Sequence, residues 1–268
     1  MCIRDSFGRI LREFRIARGI SGRELARISG IQSSHISKFE NGKLFPSELQ
    51  IEHLADSLGL SVGERKRLIA WQKLLDHDFS PFLVASDKQF AENQKMIMEI
   101  EAETSFIREY QYCLVPGLLQ TKEYSTSVFF SRKIDPQTIS TDSRNKAIAT
   151  REERKKLLHD PSKRFSFIIS EFALRNRITS ADSMKEQIEH LINLSRNTSV
   201  EIGIIPLRTR YTIDLAMTGF DIFDQDLALI ENYVGLLYIW QKPLVDKFLR
   251  LFEAMRTIAF YSLSLIHI

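Results

Sequence analysis

Apolar residues recur three and four positions apart through the first quarter of the chain, the spacing that gathers them on one face of an α-helix. Ile10, Leu11, Phe14 and Ala17 predict a helix over Phe7–Arg18. Gly19 ends it, because glycine enters the left-handed conformation of a C-terminal cap without a Cβ penalty. Ser21 followed by Glu24 is a capping-box pattern, so a second helix is predicted over Gly22–Ser29 with Leu25, Ala26 and Ile28 inward. Gly30 permits a sharp turn. A third helix, Ser33–Glu40, points Ile36 and Phe39 inward, and Gln32 before it is a weaker cap than Ser or Thr. Asn41-Gly42 signals a turn. After Pro46-Ser47 a fourth helix, Glu48–Leu58, aligns Ile51, Leu54, Ala55 and Leu58, and a fifth, Glu64–Leu75, carries Leu68, Ile69 and Leu75.

The helical pattern breaks at Asp76-His77-Asp78-Phe79-Ser80-Pro81, and from about Phe90 the chain changes character. Met96–Arg108 is mixed. Arg164–Glu171 and Val200–Leu207 are β-rich apolar runs. Between them Ser183–Arg196 carries Met184, Ile188, Leu191 and Leu194 at helical spacing, so strand, helix and strand predict a βαβ unit. Phe220–Phe223, Ala228–Glu231 and Gly235–Trp240 read as three further strands, antiparallel through Asp224-Gln225-Asp226, before a closing helix over Leu244–Phe260. Thr141–Leu158 is a polar, basic helix with no evident face for a core. The predicted fold class is α+β: an all-α five-helix domain over 7–75, a linker over 76–90 and a mixed α/β domain over 91–262.

Two short helices joined by a glycine turn make a helix-turn-helix. Opposite Ile36 and Phe39, the third helix carries Ser33, Ser34, His35, Ser37 and Lys38. Short polar and cationic groups near a helix N-terminus suit the base edges of a major groove. The run from Gly30 to Lys43 (Gly-Ile-Gln-Ser-Ser-His-Ile-Ser-Lys-Phe-Glu-Asn-Gly-Lys) and Pro46, with Arg15, Gly19 and Gly22-Arg23-Glu24-Leu25-Ala26 upstream, closely resembles the XRE family of phage-repressor-like DNA-binding domains over about residues 7–60. The resemblance implies that Ser33, Ser34 and Lys38 face bases, with His35 beside them. It implies phosphate contacts for Ser21, Arg23, Ser37, Asn41 and Lys43. It also implies that Arg15 and Glu40 pair to tie the first helix to the third, a structural role.

Val115-Pro116-Gly117-Leu118-Leu119-Gln120-Thr121, followed by Glu123-Tyr124, resembles the signature of a C-terminal domain of unknown function that follows XRE domains in WhiJ-like bacterial regulators. Gln187–Leu194, Val200–Leu207 and Glu231-Asn232 extend the resemblance, and the order of the two domains agrees. Together they imply a sequence-specific transcriptional regulator bound to double-stranded DNA as a homodimer, in the cytoplasm at the nucleoid. Its C-terminal domain would receive a small molecule or a small protein partner, and no cofactor is implied.

Charge sharpens this division. The net charge of +3 hides 12 Lys and Arg against 7 Asp and Glu over residues 7–75, and 24 against 26 over 76–262. Phosphate neutralisation with counterion release drives nonspecific DNA affinity, so the basic excess sits on the expected reading domain. Its modest size implies a few phosphate contacts per subunit and hence a dimer.

Composition excludes other classes. With 44% hydrophobic and 26% charged residues the chain is neither disordered nor collagenous, and two cysteines make no disulfide framework. The longest apolar run, Tyr233–Trp240, falls far short of the roughly 18 residues that span a bilayer, so no membrane association is expected. A phosphate-binding glycine loop, a His-Glu-x-x-His motif and a spaced Cys/His set are all missing. His35, His53, His77, His159 and His190 are scattered, and the consecutive Asp76, His77 and Asp78 do not converge on one ion. Cys113 is expected in packing, Glu171 and Glu231 in surface or fold-stabilising roles, and Pro116-Gly117 as a turn aiming Leu118 and Leu119 into the core. No catalytic or metal-binding residue is therefore expected, and no enzyme. Two further readings stay open: an antitoxin-like interaction protein with autoregulatory DNA binding, and an enzyme tethered to DNA by its front domain.

The two ends carry a separate signal. Met1-Cys2-Ile3-Arg4-Asp5-Ser6 can be encoded by ATG TGT ATA AGA GAC AG, whose opposite strand encodes Leu-Ser-Leu-Ile-His-Ile, the residues 263–268. One short sequencing adapter joined to both sides of a fragment explains both, so residues 1–6 and 263–268 are expected to be adapter translation. On that reading Cys2 and His267 carry no function, and the natural termini stay open.

Overall fold

The computed structural model describes residues 3–61, 64–65, 68, 87–131, 139–214, 216–232, 235–239 and 241–261. The chain divides into two compact units, Met1–Ser80 and Pro81–Ile268. Among the described residues no helix is long and apolar enough to cross a membrane.

The first unit is built on α1 (Ile3–Ala17), α2 (Gly22–Ser29), α3 (Ser33–Glu40) and α4 (Glu48–Ser57). Phe7, Leu11, Leu25, Phe39, Ile51 and Leu54 are fully buried among them. At Gly8 α1 meets the end of α3 so tightly that a Cβ would lie 2.5 Å from the Glu40 carbonyl oxygen, and only glycine fits. Two predicted core positions face outward. Ile28 is 39% exposed, because the buried face of α2 is set by Leu25, Ala26 and Ser29, and Ile28 lies about a quarter-turn from its centre. Ala17, the last residue of α1, is exposed. Of the predicted fifth helix, residues 64, 65 and 68 are helical and Leu68 is buried. Its remainder lies outside the described residues, as do the break at 76–81, residues 1–2 and residues 262–268.

The second unit is a six-stranded sheet with helices: α5 (Asp87–Glu103), β1 (Phe106–Gln111), a 3-10 turn (Gly117–Leu119), α6 (Lys122–Phe130), α7 (Thr141–Arg154), β2 (Arg164–Ser170), α8 (Glu171–Arg175), α9 (Ala181–Leu194), β3 (Val200–Ile205), β4 (Phe220–Phe223), β5 (Leu227–Asn232), β6 (Gly235–Ile239) and α10 (Lys242–Arg256). The strand order is β3-β2-β1-β4-β5-β6. β1, β2 and β3 run parallel, while β4, β5 and β6 continue antiparallel. The expected βαβ unit is present as β2, α9 and β3, and the three expected antiparallel strands are β4, β5 and β6. Asp224 turns the β4–β5 hairpin at φ 50°, and its carboxylate accepts from the backbone N–H of Phe106 at 2.8 Å, bracing the start of β1.

Strand alternation gives the sheet two unlike faces. Tyr110, Phe220, Ile222 and Ala228 join Phe252 and Met255 of α10 in one apolar core. The other face of β1 and β4 carries Ile107, Glu109, Asp221 and Phe223 beside α5 and α7. The polar helix that the sequence leaves unplaced is α7. It packs on α5, and its Arg144, Arg151 and Arg154 are buried. Glu171 opens α8 instead of ending β2, because the Ser170 hydroxyl caps that helix by accepting from Phe172 N–H.

Candidate functional site

The first candidate lies on α2 and α3. Ser21 caps α2, its hydroxyl accepting from Glu24 N–H at 3.1 Å, and Gly30 turns the chain at φ 69°. Ile36 and Phe39 anchor α3 in the core, leaving Ser33, Ser34, Ser37 and Lys38 exposed. His35 differs from expectation. It is partly buried, with its ring 6.0 Å from that of Phe39, because it sits on the shoulder of the apolar stripe. Asn41 Nδ2 donates to the Ser37 carbonyl at 2.7 Å and so closes the helix end. Gln32 makes no side-chain bond to the first turn of α3, as its residue type predicts. Arg23 and Lys43 are exposed, and neither belongs to an ion pair among the described residues.

One buried connection holds this face in place. Arg15 donates to both oxygens of Glu40, at 2.5 Å and 2.9 Å, and to the carbonyl of Ile20 at 2.9 Å. The side chains are 13% and 10% exposed, so the pair is largely withdrawn from solvent. The hydrogen bond to Glu40 raises the Arg15 pKa above its ordinary value. The fork geometry of arginine matches a carboxylate in two places at once, and it fixes α3 relative to both α1 and the start of α2.

The second unit contains a cavity of about 400 Å³, and sequence reasoning missed its polar lining. Arg154 of α7 makes two bonds to Glu101 of α5, at 2.7 Å and 2.6 Å, and a third to Gln94 at 3.0 Å. Arg151 donates to Gln120 at 2.8 Å and lies 4.3 Å over the Phe129 ring. Gln120 in turn donates to the Val115 carbonyl at 2.7 Å and accepts from Ser125. The Pro116–Thr121 phrase thereby gains a physical meaning. Leu118 and Leu119 fill the core as expected, Gln120 supports a buried guanidinium, and Thr121 caps α6 while its N–H donates to Gln187 of α9 at 2.7 Å. The usable signal was periodicity: Arg144 and Arg151 fall on the stripe of Ala147 and Ile148, where a solvated arginine does not belong.

The cavity also holds Glu109 and Asp221. Burial pushes the Glu109 carboxyl up to about 7, and burial followed by the charge of Glu109 pushes Asp221 well above the carboxylate range. Burial and the neighbouring Arg154 bring Arg151 down to about 10. Glu231 lines the same space. Cys113, expected in packing, is exposed, and its thiol pKa is raised by partial burial. Glu171 is tied to Arg175 at 2.5 Å and accepts from Leu207 N–H at 2.8 Å, a fold-stabilising role. Among the described residues no grouping of His, Cys, Asp and Glu is arranged to hold a metal ion.

Comparison with known proteins adds family membership. Residues 6–68 match a family described as a helix-turn-helix domain. Residues 94–263 match a domain of unknown function, DUF5753. No curated protein matches the chain. Among solved structures, the restriction-modification controller protein C.AhdI from Aeromonas hydrophila is 36% identical over 23% of this chain and 92% of its own, with a TM-score of 0.22. The clp gene regulator ClgR from C. glutamicum is 30% identical over 26% and 90%, with a TM-score of 0.24. The archaeal chromatin protein TrmBL2 is 11% identical over 96% and 99%, with a TM-score of 0.33. The match to the domain of unknown function spans more than half of the sequence, so the chain belongs to the DUF5753 family, with a helix-turn-helix domain ahead of the domain that defines it.

Proposed function

We propose that this protein is a sequence-specific transcriptional regulator that reads the major groove with α3 and takes its regulatory input through the second unit. The helix-turn-helix match supports the coarser class, a DNA-binding transcriptional regulator. The observation that carries the finer reading is the free face of α3. Ser33, Ser34 and Lys38 stand exposed on a helix whose other face is anchored by Ile36 and Phe39 and whose end is locked by Arg15 and Glu40. Lys38 donates to guanine O6 and N7, and the serine hydroxyls donate or accept as the base requires. His35 at the shoulder adjoins Ser34 and contacts a base or a phosphate. Ser21, Arg23, Ser37, Asn41 and Lys43 meet the backbone, where the positive end of α2 also favours an anion.

A basic excess this small gives each subunit few phosphate contacts, so the protein acts as a homodimer with one α3 per major groove. It works on chromosomal DNA in the cytoplasm. The second unit receives a small ligand or a protein partner, and its cavity is the feature that favours a ligand. Selection of bound genomic fragments tests this reading. The expected product is an inverted repeat whose half-sites lie roughly one helical turn apart, about 10–10.5 base pairs. Recovery of fragments without sequence preference would refute it. A stoichiometric protein partner that loses toxicity on binding would move the assignment to an antitoxin-like protein.

A further inference from the structure

The cavity of the second unit is short of positive charge in a way that specifies its occupant. Glu109 of β1 and Asp221 of β4 are direct partners in the antiparallel register, so two carboxylates face each other across one pair of strands. Like charges placed directly opposite on a sheet repel. Glu101 and Glu231 line the same space, and among the described residues the guanidiniums lining it are Arg151 and Arg154. Arg154 is committed to Glu101 through two bonds. Among the described residues, two guanidiniums, one of them bridged to Glu101, thus stand against four carboxylates.

Two buried polar atoms in this lining also lack any hydrogen-bond partner. They are Oδ1 of Asp221 and Nε of Arg151, the latter on a side chain only 8% exposed. A buried polar atom left without a partner is costly, and more so when charged, so each orphan, one acceptor and one donor, marks a bond that an occupant would complete. The walls beside them are apolar: Ile97, Ile107, Phe129, Phe223 and Leu236. A volume of about 400 Å³ falls within the range of small-molecule pockets.

We propose that this cavity binds a small organic cation: a primary amine or amidine on an apolar body, with a neutral oxygen next to the charged head. The ammonium donates to Asp221 Oδ1 and to Glu109, the oxygen accepts from Arg151 Nε, and the apolar body lies along Phe129 and Phe223. The raised pKa values of Glu109 and Asp221 agree, since both carboxylates lack the counter-charge that such a head supplies. This names the ligand class for the regulatory input proposed above, and it rests on that reading only for the coupling to DNA.

Calorimetry on the full chain at pH 8 tests the site with three probes that share one aromatic body. These are phenylalaninol (an amine with a hydroxyl), phenylalanine (a zwitterion) and phenylacetate (an anion). A wider series of aryl and alkyl primary amines spans the cavity volume. Amines are expected to bind saturably, with phenylalaninol at least tenfold tighter than phenylalanine and no saturable binding of phenylacetate. Asp221→Asn is expected to weaken the amine at least tenfold while melting no lower than the parent, since it removes a repelling charge. Glu109→Gln repeats the comparison if the first variant misfolds. Equal or tighter binding of the zwitterion or anion, failure of every amine to bind, or amine affinity indifferent to both folded variants would overturn the proposal. Operator affinity with and without phenylalaninol separates the two readings. Binding that leaves operator affinity unchanged keeps the cation site and removes its regulatory role. A changed operator affinity that persists in Asp221→Asn removes the cation site and keeps regulation by another route.

Discussion

The two units treat their cationic side chains differently. In the helix-turn-helix unit Arg23, Lys38 and Lys43 stand in solvent, while Arg15 is drawn into a largely buried bridge. In the second unit Arg144, Arg151 and Arg154 are all buried, 5–8% exposed, and carboxylates are buried with them. A solvated cation costs nothing to keep and remains available to a polyanion. A buried one persists only while its partners persist. On the proposed reading, cationic side chains therefore serve recognition in one unit and architecture in the other, and perturbation should separate the two uses.

The largest effect is expected from Arg154→Met. It removes both bonds to Glu101 and leaves that carboxylate buried without its counter-charge, while methionine fills much of the volume. Breaking a buried pair from one side costs roughly 3–5 kcal/mol. Denaturant unfolding followed by a probe in the second unit should show this loss, and the transition of the first unit should stay where it is in the parent. A cost under about 1 kcal/mol would show that the arginine is solvated and that the contrast between the units is false.

Next in size is a pH effect carried by Glu109. The unfolded chain releases this proton near 4.5 and the folded chain near 7. The folded state therefore holds more protons between those values, and stability must fall as pH rises through the window. The contribution is present below 4.5 and lost above about 7, and the shift corresponds to about 3 kcal/mol. Asp221 acts in the same direction. The groups facing these two carboxylates are Glu101, Glu231, Arg151 and Arg154. Unfolding of Glu109→Gln compared with the parent between about pH 4 and pH 8 isolates the effect: the parent should lose stability relative to the variant as pH rises. Parallel curves would mean that Glu109 is ionised throughout.

How much of this is legible in the sequence follows the same division. The helix-turn-helix unit obeys local rules, so Ser21, Gly30 and the Ile36–Phe39 spacing suffice to place α2 and α3 at their observed bounds. The Arg15–Glu40 pair is legible only through resemblance to a family, since nothing local joins residues 25 apart. In the second unit β1 is hidden because Phe-Ile-Arg-Glu-Tyr-Gln places a buried carboxylate where alternation calls for an apolar residue. The cavity is hidden with it. Its lining draws on α5, β1, α6, α7, β4, β5 and β6, and pairing Glu109 with Asp221 requires a strand register between segments more than 100 residues apart. Sequence periodicity carries the first kind of information and not the second.

The recognition face offers the converse of the buried arginines: changes there should alter binding and leave stability alone. Lys38→Ala is expected to weaken operator binding by roughly 1–3 kcal/mol and to relax preference at one base position, with denaturant midpoint unchanged because Lys38 is exposed. Specific affinity equal to the parent's would remove Lys38 from the reading set, and a lowered midpoint would make it part of the architecture.

The smallest effect, and the finest test of the contrast, belongs to Lys43. It lies past the end of α3, exposed, with its backbone N–H donating to the Lys38 carbonyl at 2.8 Å, so alanine there preserves the turn. A cation that meets only a phosphate reads no base. Lys43→Ala should therefore weaken operator and random DNA by the same factor, and should reduce the slope of log affinity against log salt by about 1 for each phosphate no longer neutralised. Titrations of parent and variant on both DNAs between about 50 mM and 200 mM salt measure these slopes. A variant that loses operator affinity alone reads a base, and one that keeps the parent's salt slope on both DNAs touches no phosphate. If the slope falls while the unfolding midpoint stays fixed, the cation acts on DNA and contributes nothing to the fold. Arg154 is expected to do the reverse, and the two measurements together test whether a cation's place in the fold, exposed beyond α3 or buried beside α5, divides recognition from architecture in this chain.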